Sequence, residues 1–202
     1  MMANVEVARA TADDVEPLAA VLGRAFTDDP LNRHLVPDDA RRAKALPAEF
    51  ADQLRHVFLP RGVVLTTSDR AGAALWLGPG AQRLSLGEQL RLLPGMVRLV
   101  GVRRLRAAMR SLAEIDRRVP VEPHWHLSVL GVAPERRGRG IGSALLAPML
   151  ERCDRELLPA YLETANAANL PLYERHGFAV RDRVELRDGL RLWTMLRIPR
   201  RR

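Results

Sequence analysis

The chain has 202 residues, enough for one sizeable core but short for two ordinary domains. Apolar residues make up 47% of it, which excludes a disordered chain, and no apolar run approaches the roughly 18 residues of a membrane span. The formal net charge is +8, but the arginines are spread over the whole length and Lys44 is the only lysine, so charge alone singles out no partner. MMANVEVARATADD lacks a basic stretch followed by an apolar one, so no secretory leader is expected. Cys153 is a single cysteine, which excludes an intrachain disulfide and a paired-cysteine zinc site. These features fit a cytoplasmic protein without a metal.

In chain order, VEVARA (Val5–Ala10) alternates as a short strand. Thr11 is placed to cap a helix, with Asp13 and Asp14 in the first turn, where carboxylates suit the helix dipole. Val15, Leu18, Ala19, Leu22 and Phe26 follow at helical spacing, and Asp28–Pro30 ends that helix. A second helix is predicted over Asp39–Phe58, with Leu46, Phe50, Leu54 and Phe58 on one stripe, broken by Pro60, Arg61 and Gly62. VVLTTS (Val63–Ser68), a turn at Asp69–Gly72 and AALWLGP predict a hairpin. Residues 84–118 are rich in leucine and arginine and predict two or three helices, interrupted at Pro94 and Gly95 and inserted between strands. Six arginines between Arg91 and Arg110 are expected on solvated helix faces. Strand character returns at HWHLSVLGV (His124–Val132). A glycine-rich turn, a helix to about Leu158, the strand AYLET (Ala160–Thr164) and a short helix over Asn169–His176 follow. GFAVRDRVEL and LRLWTMLRI predict a closing hairpin turned at Asp188–Gly189, with a frayed arginine tail. There is no internal repeat, and the whole reads as one α/β domain with a helical insertion.

The stretch RRGRGIGSALL, Arg136 to Leu146, joins a strand to a helix. Free N–H groups at a helix start, aligned with the dipole, favour an anion, and glycines let the backbone approach it. Arg136, Arg137 and Arg139 add charge that a pyrophosphate would welcome. A Walker loop is excluded because it needs Gly-Lys-Ser/Thr. The dinucleotide fingerprint fits loosely at Gly138 and Gly140 but meets Ser143 where a third glycine belongs; Glu156 and Glu163 stand near the place of its acidic ribose partner.

LSVLGVAPERRGRGIGSALL, followed by YLETANAANLPLYERHGFAV, resembles the GNAT superfamily of N-acetyltransferases. VARATADDV, RHLVPD (Arg33–Asp38), LWLGP and RLWTM (Arg191–Met195) extend the likeness over nearly the whole chain. Within the superfamily it is most similar to the puromycin N-acetyltransferases. The resemblance implies an α/β fold with a mixed, mostly antiparallel twisted sheet and a splayed central strand pair. It implies a single acetyltransferase domain over 1–202; the helical insertion 84–118 is where the chain departs most from the family core, and it is expected to border the acceptor site and, with the segment around Asp28–Pro37, to set the acceptor. The implied reaction is direct transfer from acetyl-CoA, as cosubstrate, to a primary amine of a small molecule such as an aminonucleoside antibiotic, with no acyl-cysteine step. Alternatives are acetylation of protein N-termini or lysines, and a non-catalytic module that binds acyl-CoA or a partner. No nucleic acid, membrane or metal is expected as a partner, although nucleic-acid binding by the arginines of the insertion stays open; the chain is expected as a monomer or homodimer.

The resemblance also implies site residues. Arg137, Gly138, Arg139, Gly140, Ile141, Gly142 and Ser143 correspond to the pyrophosphate turn, and Leu130, Gly131 and Val132 to the strand along which the pantetheine arm pairs. Asn169 is expected at that arm, or as an ordinary helix N-cap. Tyr173, in NLPLYERHGF, is expected to protonate the leaving thiolate; its structural alternative is a core tyrosine. Glu163 is the expected general base, with His126, His124 or a water as rivals. His34 is placed near the acceptor pocket or on the surface, His176 near the cofactor exit, and Cys153 in packing. Trp76, Trp125 and Trp193 are the aromatic residues an antibiotic pocket could use, or simple core.

Overall fold

The computed structural model describes residues 5–200. The last two arginines of the expected tail, Arg201 and Arg202, lie outside the described residues. Seven strands form one sheet in the order β1-β2-β3-β4-β5-β7-β6. They are β1 (Val7–Arg9), β2 (Gly62–Thr67), β3 (Gly72–Leu77), β4 (Trp125–Val132), β5 (Ala160–Thr164), β6 (Ala179–Glu185) and β7 (Arg191–Arg197). Every neighbouring pair is antiparallel except β4 and β5, which run parallel. The expected mixed, mostly antiparallel sheet is therefore present.

Helices cover both faces. On β3, Ala73, Leu75 and Leu77 face α1 (Val15–Phe26) and α3 (Asp39–Gln53), while Ala74 and Trp76 face α7 (Ile141–Glu156). This period of two, with both faces covered, explains why GAALWL is buried throughout. α5 (Leu86–Val100) and α6 (Val102–Asp116) extend the α1–α3 layer through Leu99, Val100 and Ala108.

β4 and β5 pair over only three positions, Trp125–Leu127 with Ala160–Leu162. The next residue of β4 is a bulge: Leu75 of β3 pairs with Val129 and Trp76 with Leu127, leaving Ser128 as the extra residue. A bulge bends its strand and increases the local twist. Beyond Ser128, β4 stays on β3 and leaves β5, which is the splayed central pair.

Three expectations need correction. Asp28–Pro30 does not only end α1: Asp29 caps a further helix, α2 (Pro30–Leu35), accepting from the amides of Leu31 at 3.0 Å and Asn32 at 3.2 Å. Proline suits that first position because its missing N–H would have no partner there. Second, the break expected over Pro60, Arg61 and Gly62 falls at Gly62, and the helical run passes through Pro60. After α3 comes a π-helical turn, Leu54–Phe58, then the single turn α4 (Leu59–Arg61), which leads straight into β2. Third, α5 runs through Pro94 and Gly95, and the break lies at Gly101, with φ +78°. An interior proline costs about 3 kcal/mol. Against it stand a capping box between Ser85 and Glu88, and Arg41, which donates to the carbonyls of Arg98 and Leu99, each at 2.9 Å. Burial of Leu99 and Val100 adds to these. The six arginines from Arg91 to Arg110 are exposed, as expected. No helix among the described residues is long and apolar enough to cross a membrane.

Candidate active site

After Val132 the chain makes a 3-10 turn at Pro134–Arg136 and enters α7 through Gly138 and Gly140, with φ +75° and +80°. Side chains make that conformation costly, so glycine is required at both. Gly140 is the N-cap of α7, and no side chain caps the helix. The first intrahelical bond comes from Ala144 to Gly140 at 3.0 Å, so the amides of Ile141, Gly142 and Ser143 have no partner within the helix. A Cβ at Gly138 would meet nothing within 4 Å, which leaves the turn open to an approaching ligand. Not all the arginines are free for one. Arg136 pairs with Asp69 at 2.6 Å, and Arg137 donates to the Ala25 carbonyl of α1 at 2.8 Å. Arg139 is exposed.

Leu130, Gly131 and Val132 lie on β4 beyond the bulge. Gly131 packs under α1: a Cβ there would come within 2.6 Å of Leu22, so helix packing by itself accounts for this glycine. A cavity of about 240 Å³ opens where β4 leaves β5. Ser128, Val129 and Leu130 line it from β4, Glu163 and Thr164 from β5, and Tyr173 from α8 (Leu170–Arg175). Asn169, just before α8, also lines it and makes no capping bond of its own. Phe26, Asp29, Glu49 and Phe50 face it from the first helices, Met96 and Leu99 from α5, and Leu112 from α6. Glu163, Tyr173, Asn169 and Leu130 thus meet at one cavity, while the 137–143 turn, Gly131 and Val132 lie outside its walls.

Glu163 and His126, weighed as rival bases, are hydrogen-bonded partners: His126 Nε2 and Glu163 Oε2 are 2.8 Å apart. His126 Nδ1 and Glu163 Oε1 are buried without hydrogen-bond partners among the described residues. The His126 ring stands edge-on to Tyr161, with centroids 5.4 Å apart. Asp116, at the end of α6, belongs to the same neighbourhood: burial and the Glu163 charge push its carboxyl above the usual range. His124 sits just before β4 rather than in it, is buried, and has Nδ1 2.7 Å from the Glu122 carbonyl. Burial pushes its pKa down and so favours the neutral ring. Tyr173 is buried edge-on to Phe178, with centroids 6.0 Å apart. Burial first, then the Asp29 charge, push its phenol above the ordinary value, so it keeps its proton at neutral pH.

Other candidates lie elsewhere. His34 pairs with Asp188 at 2.8 Å, and His176 lies at a second surface hollow beside α7, where its backbone carbonyl accepts from Arg197 Nε at 3.1 Å. Cys153 is fully buried, and burial pushes its thiol up to about 12, as suits a packed residue. None of the three tryptophans lines the cavity. Sequence reasoning named none of Asp29, Glu49 and Asp116, although Asp29 lies in the segment, and Asp116 in the insertion, expected to set the acceptor. Glu49 carried a signal: it stands at helical spacing among Leu46, Phe50 and Gln53, a carboxylate on an apolar stripe.

Residues 95–178, which include β4, the glycine turn, β5 and Tyr173, match the Acetyltransferase (GNAT) family. An uncharacterized N-acetyltransferase of Schizosaccharomyces pombe is 33% identical over 205 residues, covering 95% of this chain and 82% of that protein. The chain belongs to the GNAT family of acetyltransferases. Among solved structures of GNAT type, one described as histone acetyltransferase HPA2 and related acetyltransferase, from Corynebacterium glutamicum, superposes with TM-score 0.75. It is 26% identical, and the match covers 98% of each chain. Arylalkylamine N-acetyltransferase 2 from Aedes aegypti shares the GNAT fold at TM-score 0.59 and 14% identity, covering 98% of this chain and 100% of that one. As a GNAT acetyltransferase the protein is an acyltransferase, and the family takes its acetyl group from acetyl-CoA.

Proposed function

We propose that the protein transfers acetyl from acetyl-CoA directly to a primary amine of a small molecule, with Glu163 and Tyr173 as catalytic residues. The observation that carries this reading is the cavity at the β4–β5 splay, lined by both a carboxylate and a buried phenol, whose Leu130 also lies 4.0 Å from where a Cβ at Gly142 of the glycine turn would stand. Bound acetyl-CoA would supply an acetyl group activated as a thioester. The residues present suit it. Open space at Gly138 and the free amides of Ile141, Gly142 and Ser143 suit a pyrophosphate, with Arg137, Arg139 and Gly140 beside them. Leu130, Gly131 and Val132 have backbone not paired to β5, which suits an extended arm, and Asn169 stands at the cavity.

An ammonium must lose a proton before it attacks. Glu163 takes that proton, directly or through water, and His126 at 2.8 Å holds the carboxylate in place. Tyr173 gives its phenolic proton to the leaving thiolate. In this reading residues 1–202 form one acetyltransferase domain, and the insertion 84–118 closes the acceptor side through Met96, Leu99 and Leu112. The likeness to puromycin N-acetyltransferases supports an aminonucleoside as acceptor. A second reading, acetylation of protein N-termini or lysines, is supported by the words histone acetyltransferase in the name of the Corynebacterium structure.

Acetyl-CoA should raise the melting temperature, because a ligand that binds only the folded state stabilises it. No shift at millimolar acetyl-CoA overturns the reading. Thiol release with a panel of small amines and lysine peptides then decides between the acceptors.

A further inference from the structure

The charge of the cavity runs against that of the molecule. Asp29, Glu49 and Glu163 line it, and among the described residues no lysine, arginine or histidine does, in a chain of formal net charge +8. Two of these carboxylates have work in the protein: Asp29 caps α2, and Glu163 holds His126. Glu49 does not. It is 4% exposed, accepts one bond from Gln53 at 2.9 Å through Oε1, and keeps Oε2 buried with no partner among the described residues. The nearby cation, Arg98, is directed to Asp52 at 3.8 Å. Burial, and the Asp52 charge after it, push the Glu49 carboxyl upward.

The neighbouring helix is shaped around this group. A Cβ at Gly95 of α5 would lie 2.8 Å from both Glu49 Oε2 and Asp52 Oδ2. Glycine weakens a helix interior, and here it makes room for two carboxylates. A buried carboxylate left unpaired is costly, and the group that best offsets both its charge and its empty acceptor is a protonated nitrogen. Phe26, Leu46, Phe50, Met96 and Leu99 give the cavity an apolar side, while Asn32, Gln53, Ser128, Thr164, Asn169 and Tyr173 add uncharged polar groups.

We propose that Glu49 is a specificity-determining residue that binds a second protonated nitrogen of the acceptor. The substrate class is a diamine: one amino group is acetylated beside Glu163, an apolar body fills the cavity, and the other nitrogen pairs with Glu49. The inference rests on the reading of the protein as a small-amine acetyltransferase and narrows it.

The test compares 1-aminopentane with 1,5-diaminopentane, which differ by one terminal nitrogen, with further diamines that are longer and shorter. Thiol release from acetyl-CoA gives kcat and KM, and the melting temperature in the presence of CoA gives binding without turnover. The best diamine should exceed its matched monoamine at least about tenfold in kcat/KM, the size of one charge-assisted hydrogen bond. It should also raise the melting temperature more. Glu49→Gln should cut the preference to about twofold or less, mainly by raising KM for the diamine. Equal kcat/KM for both amines in the wild-type protein, or a preference that Glu49→Gln leaves intact, overturns this inference alone. Acetylation of neither amine, with lysine peptides modified instead, overturns the small-amine reading along with it. The wild-type comparison needs no variant and stands even if Glu49→Gln does not fold.

Discussion

Glu163 and His126 share one hydrogen bond, so altering either changes the other's surroundings. On the proposed mechanism Glu163→Gln should lower kcat about 100-fold, as expected for loss of a general base. The double variant with His126→Gln should lose less than the sum of the two single effects, because the pair acts as a unit. Steady-state kinetics of the four proteins checks both. Tyr173→Phe should lower kcat about 10- to 100-fold while calorimetry finds acetyl-CoA bound as before. A stability prediction concerns Glu49, whose pKa in the folded protein lies above the usual 4.5. As pH rises past that value the unfolded chain ionises first, and the folded protein is penalised for keeping the proton or burying the charge. Glu49→Gln should therefore raise the melting temperature at pH 8, by on the order of 1–2 kcal/mol in stability, and leave it nearly unchanged at pH 4. Thermal unfolding at both values measures it. Glu163 and Tyr173 were legible because they sit in short motifs of contiguous residues. Glu49 and Asp116 were not, since their meaning depends on helices distant in the chain coming together.

At the level of elements, the strand–glycine turn–helix unit was readable from Leu127 to Glu156 because its geometry is local. Positive φ needs glycine, and a helix start needs free amides. Gly140→Ala should cost about 1 kcal/mol from its φ of +80° and weaken acetyl-CoA at least about tenfold, measured by thermal unfolding and calorimetry. Elements decided by tertiary contacts were harder to read. Pro94 marks a break by its own chemistry, yet α5 is held at both ends, by Ser85 and by Arg41 from α3. Asp29-Pro30 looks like a stop and is equally a start, and only the chain beyond it distinguishes the two. The Ser128 bulge leaves no mark in LSVL, because an extra residue is defined by the partner strand.

For the whole molecule, the contrast between a cationic chain and a cavity whose charged lining, among the described residues, is acidic separates two kinds of ligand. A polyanionic cosubstrate is drawn by the overall charge of +8 and a cationic acceptor by the cavity's carboxylates. Raising ionic strength should therefore lower kcat/KM for acetyl-CoA severalfold and leave kcat nearly unchanged, because screening acts on encounter at long range. The sheet has its own consequence at this scale. β1–β4 and β5–β7 are two panels, hinged through the three residue pairs between Trp125–Leu127 and Ala160–Leu162. Beyond that hinge runs an open seam, an edge lying inside the sheet rather than at its rim. A ligand lying in the seam would act as mortar between the panels. Amide exchange along Val129–Val132 should then slow on acetyl-CoA binding, and so should exchange along Glu163–Thr164 in the opposite panel.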